Sequence, residues 1–249
     1  MWALLTMLGF QLALGVIESA HPGAVSDLVT IGACSLLAHL VVLFGLLRLH
    51  APEASVSELV ALRRPPLAMI PLAALVGAGI SPAASWINGL LEKRFPLAPE
   101  ETEVLEKIFR TDTAGQRVAL VVVLMFVMPL CDELFYRGAL FTTLKKSHKL
   151  TTVIAATAAF DALVGSGNVR GIGPTLALAW MLGALRAASD SMIVPLIASM
   201  AFFAVDVVPM ALGRGEPTHG WAVIAGGVVV SSLALAVTLR LGKRRFEAT

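Results

Sequence analysis

The chain carries the stretch Cys131-Asp132-Glu133-Leu134-Phe135-Tyr136-Arg137-Gly138 directly after an apolar run from Val118 to Leu130. Two adjacent carboxylates and an arginine therefore lie at or near membrane depth, where ionisable groups are costly and indicate a functional site. On a helix, Glu133 and Arg137 are four residues apart and can pair along one face. Asp132 is turned about 100° away, so the helix offers one paired and one free carboxylate. This arrangement suits water activation if another helix supplies a base. The simpler interpretation is that Glu133 and Arg137 form an ion pair within the helix, at the end of a membrane span, with no catalytic role.

The composition indicates a protein with many membrane spans. Hydrophobic residues make up 57% of the 249 residues, charged residues make up 14%, and the mean hydropathy is +0.83. A soluble domain normally carries roughly 25% charged residues. We therefore predict an all-α polytopic membrane helix bundle of about eight transmembrane helices. The predicted spans cover residues 2–19, 27–48, 66–91, 117–144, 150–166, 173–188, 191–212 and 219–241.

The chain shows no repeat and no separate soluble domain, so residues 1–249 are predicted to form a single integral membrane domain. Residues 1–116 hold the N-terminal spans and an acidic loop, whose Glu103 to Phe109 portion has the periodicity of an interfacial helix. Residues 117–212 form the core that contains the acidic motif. Residues 213–249 hold the last span and a basic tail.

The basic residues predict the orientation in the membrane. If the N-terminus is cytoplasmic, eleven of the 19 Lys and Arg residues fall in inner segments and seven in outer ones, with Arg137 inside the membrane. The inner ones are Arg48, Arg63, Arg64, Lys145, Lys146, Lys149, Arg186, Arg240, Lys243, Arg244 and Arg245. We therefore expect both termini to be cytoplasmic. Arg186 and Asp190, which are four residues apart near a helix end, are expected to form a surface pair.

The stretch around Asp132, Glu133 and Arg137, with Pro129 before it and Gly138 after it, resembles the first motif of the CPBP family. This family comprises the CAAX-protease and bacteriocin-processing (Abi-type) membrane proteins, and its motif reads Glu-Glu-x-x-x-Arg. The resemblance extends from Val127 to about Phe203 and implies a CAAX-protease-like core in the C-terminal half. It also implies that Asp132, Glu133 and Arg137 occupy the positions of an intramembrane endopeptidase centre of the glutamic type, a class once assigned to metalloproteases.

The other family motifs are degenerate in this sequence. Motif two reads Phe-x-x-x-His in the family, but here Phe160 is followed by Val164 at the histidine position. Motif three reads His-x-x-x-Asn, and those positions hold Ser199 and Phe203. The resemblance implies that the first acid of motif one, at the position of Asp132, and the motif-two histidine activate water. It also implies that the motif-three histidine and asparagine stabilise the oxyanion, so each replacement removes a part of that chemistry.

Three residues are possible substitutes for the missing groups. Asp161 follows Phe160, and it can also cap a helix or pair with Arg137. Asp206 lies late in the seventh predicted span, and it can also face an aqueous rim. His39 lies in the middle of the second span, where an interior histidine is more often simply hydrogen-bonded. No His-Glu-x-x-His run is present, so we expect neither a metal nor another cofactor.

The sequence therefore leads to three functional hypotheses. The first is a catalytically degraded pseudoprotease that acts as a binding or structural subunit of a membrane complex in the bacterial inner membrane. The second is an active CAAX-like intramembrane endopeptidase, and the third is a proton- or ion-coupled carrier, which lacks a repeat signal. The expected partners are the lipid bilayer and other membrane protein subunits or a membrane peptide, and no nucleic acid.

The orientation yields a testable expectation. A membrane-impermeant maleimide added outside intact cells should label Glu103→Cys in the acidic loop and should not label Arg245→Cys in the tail, because the basic residues favour an inner tail. The unsubstituted chain is the control for labelling of Cys34 and Cys131. External labelling of the tail variant would reverse the predicted orientation.

Overall fold

The computed structural model describes residues 2–50, 52–166, 169–215 and 217–247. Helices account for 82% of the described residues, which include no strand, so the predicted all-α class is confirmed. The helices are α1 (Trp2–Ala20), α2 (Leu28–His50), α3 (Val56–Leu59), α4 (Met69–Arg94), α5 (Pro99–Ile108), α6 (114–145), α7 (Leu150–Gly165), α8 (Val169–Ser189), α9 (Ile193–Ala211) and α10 (Trp221–Glu247).

Eight apolar helices match the eight predicted spans. In the described part of the chain, α2, α4, α6, α8, α9 and α10 are long and apolar enough to cross a membrane, while α1 and α7 are apolar but shorter. The acidic loop forms α5, which buries none of its residues. The chain is therefore a multi-pass membrane protein, and α5 is the helix predicted between the third and fourth spans.

Helix α6 is continuous but not uniformly α-helical. Its backbone forms π-helical turns over Val121–Val127 and Glu133–Leu140, with α-helical turns between and around them. Such turns widen the helix and often mark functional sites. The second π-helical segment contains Glu133 and Arg137, so the motif lies on a locally widened helix.

Close backbone contacts hold α4 against α9 and α10. A Cβ added at Gly77 would lie 1.8 Å from the carbonyl oxygen of Ala198, and one at Gly227 would lie 2.3 Å from that of Gly79. Small residues allow membrane helices to approach this closely. Around these contacts lies a buried apolar cluster that includes Met69, Val76, Leu182, Leu185, Val194 and Ala234.

A short segment between α2 and α4 packs beneath the motif. Val60 and Ala61 are fully buried there, and the amide of Met192 donates to the carbonyl oxygen of Ala61 over 3.2 Å. A Cβ added at Gly138 would lie 3.0 Å from Cβ of Val60. The glycine that follows the motif arginine therefore makes room for this segment.

The α4 contact can be tested directly. Gly77→Ala should lower the free energy of unfolding by at least about 2 kcal/mol, because its methyl group overpacks a backbone carbonyl. Gly89→Ala is the matched control, since an added Cβ there meets nothing within 4 Å on the same helix. Equal stability of the two variants in denaturant titrations would contradict the close approach of α4 and α9.

Candidate functional site

Arg137 is the centre of the site, and its side chain is completely buried. Its Nη1 contacts the carboxylate of Asp161 on α7 and lies 3.4 Å from Oε1 of Glu133 on its own helix. Its Nη2 donates to the carbonyl oxygen of Ala179 on α8 over 3.0 Å. One guanidinium therefore connects α6, α7 and α8, as expected of an intramembrane charge that is paired by neighbouring helices.

A second buried arginine supports the first. Nε of Arg186 donates to the carbonyl oxygen of Arg137 over 2.9 Å, and its guanidinium lies over the ring of Phe141 at 5.0 Å. The prediction of a surface pair between Arg186 and Asp190 is wrong in one respect. The pair exists at 3.2 Å, but the arginine side chain is only 2% exposed because α8 packs it against α6.

Asp190 forms ion pairs with three basic residues at this end of the bundle. Besides Arg186, it contacts Arg63 and accepts a hydrogen bond from Lys145 over 3.1 Å. Partial burial alone would raise the pKa of Asp190, but the bonds from Lys145 and Arg186 outweigh burial and hold the pKa below its ordinary value. Three segments that the sequence assigns to the same side of the membrane therefore meet at one carboxylate.

A cavity of about 220 Å³, here called the motif cavity, lies beside this network. Asp132, Glu133, Arg137 and Asp161 all line it. Glu133 is 1% exposed, and neither of its carboxylate oxygens has a hydrogen-bond partner. The cavity thus contains three carboxylates and one arginine, and one of the carboxylates has unused acceptor capacity.

The degenerate family positions lie on two different surfaces. Ser199 and Phe203 line the motif cavity, and Phe203 makes an edge-to-face contact with Phe202 at 5.3 Å. Val164 lines a second cavity of about 250 Å³, here called the histidine cavity, together with His39 and Asp132. Asp132 therefore borders both cavities.

His39 enters the histidine cavity from α2. Its Nδ1 lies 2.8 Å from the carbonyl oxygen of Ser35, and a carbonyl only accepts, so Nδ1 carries a proton. In the neutral ring, Nε2 is then free to accept a proton. The ring also contacts Phe135 edge to face at 6.1 Å. The structure thus places one imidazole in the cavity that contains Asp132 and Val164.

Asp206 is separate from both cavities. It accepts hydrogen bonds from Ser85 over 2.9 Å and from Ser81 over 3.3 Å, and it lies 3.6 Å from Nε2 of His219. Of the three possible substitutes, Asp161 joins Arg137, His39 shares a cavity with Asp132, and Asp206 belongs to a different cluster. The described residues contain no group of three or more His, Cys, Asp or Glu side chains arranged to hold a metal ion.

Sequence reasoning missed two polar residues of the motif cavity, Asn88 on α4 and Thr175 on α8. Neither carries a signal in the sequence, because single amides and hydroxyls occur in many apolar helices. Their proximity to the charged motif results from the packing of the helices, which the sequence does not reveal.

The geometry predicts unequal roles for the two carboxylates that contact Arg137. Asp161→Asn should lower the free energy of unfolding by up to about 3 kcal/mol, because it leaves a buried arginine without its nearer counter-charge. Glu133→Gln should cost less, since Glu133 is the more distant partner. Asp112→Asn, in an exposed pair, is the control and should stay within about 0.5 kcal/mol of the parent. A larger loss in Glu133→Gln would contradict this ranking of the contacts.

Comparison with known proteins agrees with the sequence motif. Residues 114–205 match the family model described as type II CAAX prenyl endopeptidase Rce1-like. No curated protein and no solved structure matches the chain. The matched segment contains the whole of α7 and α8, the motif on α6 and both motif-three positions. This match supports the resemblance of residues 114–205 to the CPBP family, in which the CAAX prenyl endopeptidases are found.

Proposed function

We propose that this protein is a non-catalytic member of its family that acts as a binding or structural subunit of a membrane complex. The observation that carries the proposal is the use of the motif charges to join helices. Arg137 contacts Glu133 and Asp161 and donates to the carbonyl oxygen of Ala179. A carboxylate that a buried arginine engages closely, as Arg137 engages Asp161, is costly to separate from that arginine and is less available to activate water.

The cavity walls support the same proposal. Hydrolysis of a peptide bond needs donors that stabilise the oxyanion, and removal of one such donor costs a factor of about 10²–10³ in rate. Phe203 has no hydrogen-bond donor, and Val164 cannot accept a proton. Ser199 retains one hydroxyl and is 4% exposed. The motif cavity therefore keeps its carboxylates, but the described residues that line it include no imidazole, and Ser199 is the one donor left at the three degenerate family positions.

We further propose that the protein lies in a bacterial inner membrane with both termini cytoplasmic. The basic-residue asymmetry supports this orientation. The contacts of Asp190 with Arg63, Lys145 and Arg186 are consistent with it, because all three cations belong to segments assigned to the inner side.

A second candidate function is an active endopeptidase with a relocated base. The observation in its favour is that His39, Asp132 and Val164 line the same cavity. In such an enzyme, Nε2 of His39 would take a proton from a water molecule beside Asp132. A carrier that passes protons through Asp132, Glu133, Asp161 and Asp206 has less support, because Asp206 lines neither cavity.

Peptide cleavage separates the first two functions. The purified protein in lipid nanodiscs, incubated with a panel of prenylated and transmembrane peptides, should release no product above the background without protein. Asp132→Asn and His39→Ala should behave like the parent, because the parent has no peptidase activity for either substitution to remove. Turnover by the parent that disappears in both variants would refute the non-catalytic proposal and establish the relocated base.

A further inference from the structure

The charges around the motif cavity do not balance. Asp132, Glu133 and Asp161 are three acids, and Arg137 is the only cationic side chain among the described residues that line the cavity. With all four ionised, the formal charge is −2. A buried carboxylate without a counter-charge is expensive, so protons or a bound cation must neutralise the excess.

Glu133 shows where a ligand would bind. Its side chain is 1% exposed and lines the cavity, yet both of its oxygens lack a hydrogen-bond partner. Buried polar groups are nearly always hydrogen-bonded, and an exception needs a specific explanation. Asp161 is already engaged by Arg137, whereas Nη1 of Arg137 is 3.4 Å from Glu133. The free acceptor sites therefore belong to Glu133.

Other residues that line the cavity suit a cation with an apolar stem. Phe202 and Phe203 line the cavity as an edge-to-face pair, and aromatic faces attract ammonium groups. Leu178 and Leu182 add apolar surface. The volume of about 220 Å³ exceeds the roughly 30 Å³ that one water occupies in the liquid. It therefore has room for an ammonium group and several carbon atoms.

We propose that the motif cavity binds a primary ammonium group with an apolar stem. The ammonium donates to Glu133 and Asp132, and the stem packs against Phe202 and Phe203. An ammonium has three donors and no acceptor, which matches the two Glu133 oxygens that accept no hydrogen bond. This inference rests on the proposed binding function and names the chemistry that it recognises, whether a free amine or a lysine of a membrane peptide.

Calorimetric titration of the full chain in nanodiscs with n-butylammonium chloride tests the site. The parent should bind the probe saturably, and n-butanol, which has a similar stem and no charge, should not bind saturably. Glu133→Gln should weaken the affinity at least tenfold, because the amide keeps the shape and removes the charge. Glu103→Gln makes the same change in an exposed pair on α5 and should stay within twofold of the parent.

Asp132→Asn provides a second variant if Glu133→Gln does not fold, and it should also weaken the affinity severalfold. No saturable binding of n-butylammonium to the parent would overturn the proposal, because protons alone would then neutralise the cavity. Equal affinity of the parent and of either folded cavity variant would overturn it as well.

Two transmembrane peptides distinguish the sources of the ammonium group. One carries a single mid-span lysine and the other carries glutamine at that position. Preferential binding of the lysine peptide, lost in Glu133→Gln, assigns the site to a membrane peptide, and binding of n-butylammonium alone assigns it to a small amine. Peptide cleavage by the parent would refute the non-catalytic function but not the ammonium site. Absence of n-butylammonium binding would refute the ammonium site but not the non-catalytic function.

Discussion

A completely buried guanidinium inside a membrane helix constrains the rest of this structure. Arg137 cannot lie there without acceptors, since desolvating a lone charge costs several kcal/mol. Its acceptors come from α7 through Asp161 and from α8 through a backbone carbonyl, and Glu133 on its own helix adds a second counter-charge at 3.4 Å. Arg186 then satisfies the carbonyl oxygen of Arg137. These contacts join α6, α7 and α8 around one charge.

The same constraint connects the fold to the proposed function. Asp161 neutralises Arg137 closely, so Glu133 and Asp132 remain as carboxylates with little compensation beside a cavity. Where Val164 and Phe203 replace a histidine and an asparagine of the family motifs, the site loses a base and an oxyanion donor. What remains is a cavity lined by three carboxylates, one arginine and two phenylalanines, which suits the binding of a cation that we propose better than the stabilisation of an anion.

The sequence predicted the helical class, the spans and the motif because these depend on apolar runs and on local spacing. It placed Arg186 on the surface because helical spacing identifies neighbours on the same helix, such as Asp190, and says nothing of the helix that packs against them. It could not indicate Asn88, whose role depends on α4 reaching the motif. The π-helical turns of α6 also escaped prediction, since apolar periodicity does not distinguish them from α-helical turns.

The central claim is that the charged motif holds the helices together. A double-mutant cycle with Arg137→Met, Asp161→Ala and the combined variant measures this coupling through the free energies of unfolding. The account predicts that the combined variant recovers stability relative to the sum of the single losses, with a coupling of about 1–3 kcal/mol, because it removes the Asp161 carboxylate that Arg137→Met alone would leave without its close partner. Losses that add to within about 0.5 kcal/mol would contradict a structural role for the pair.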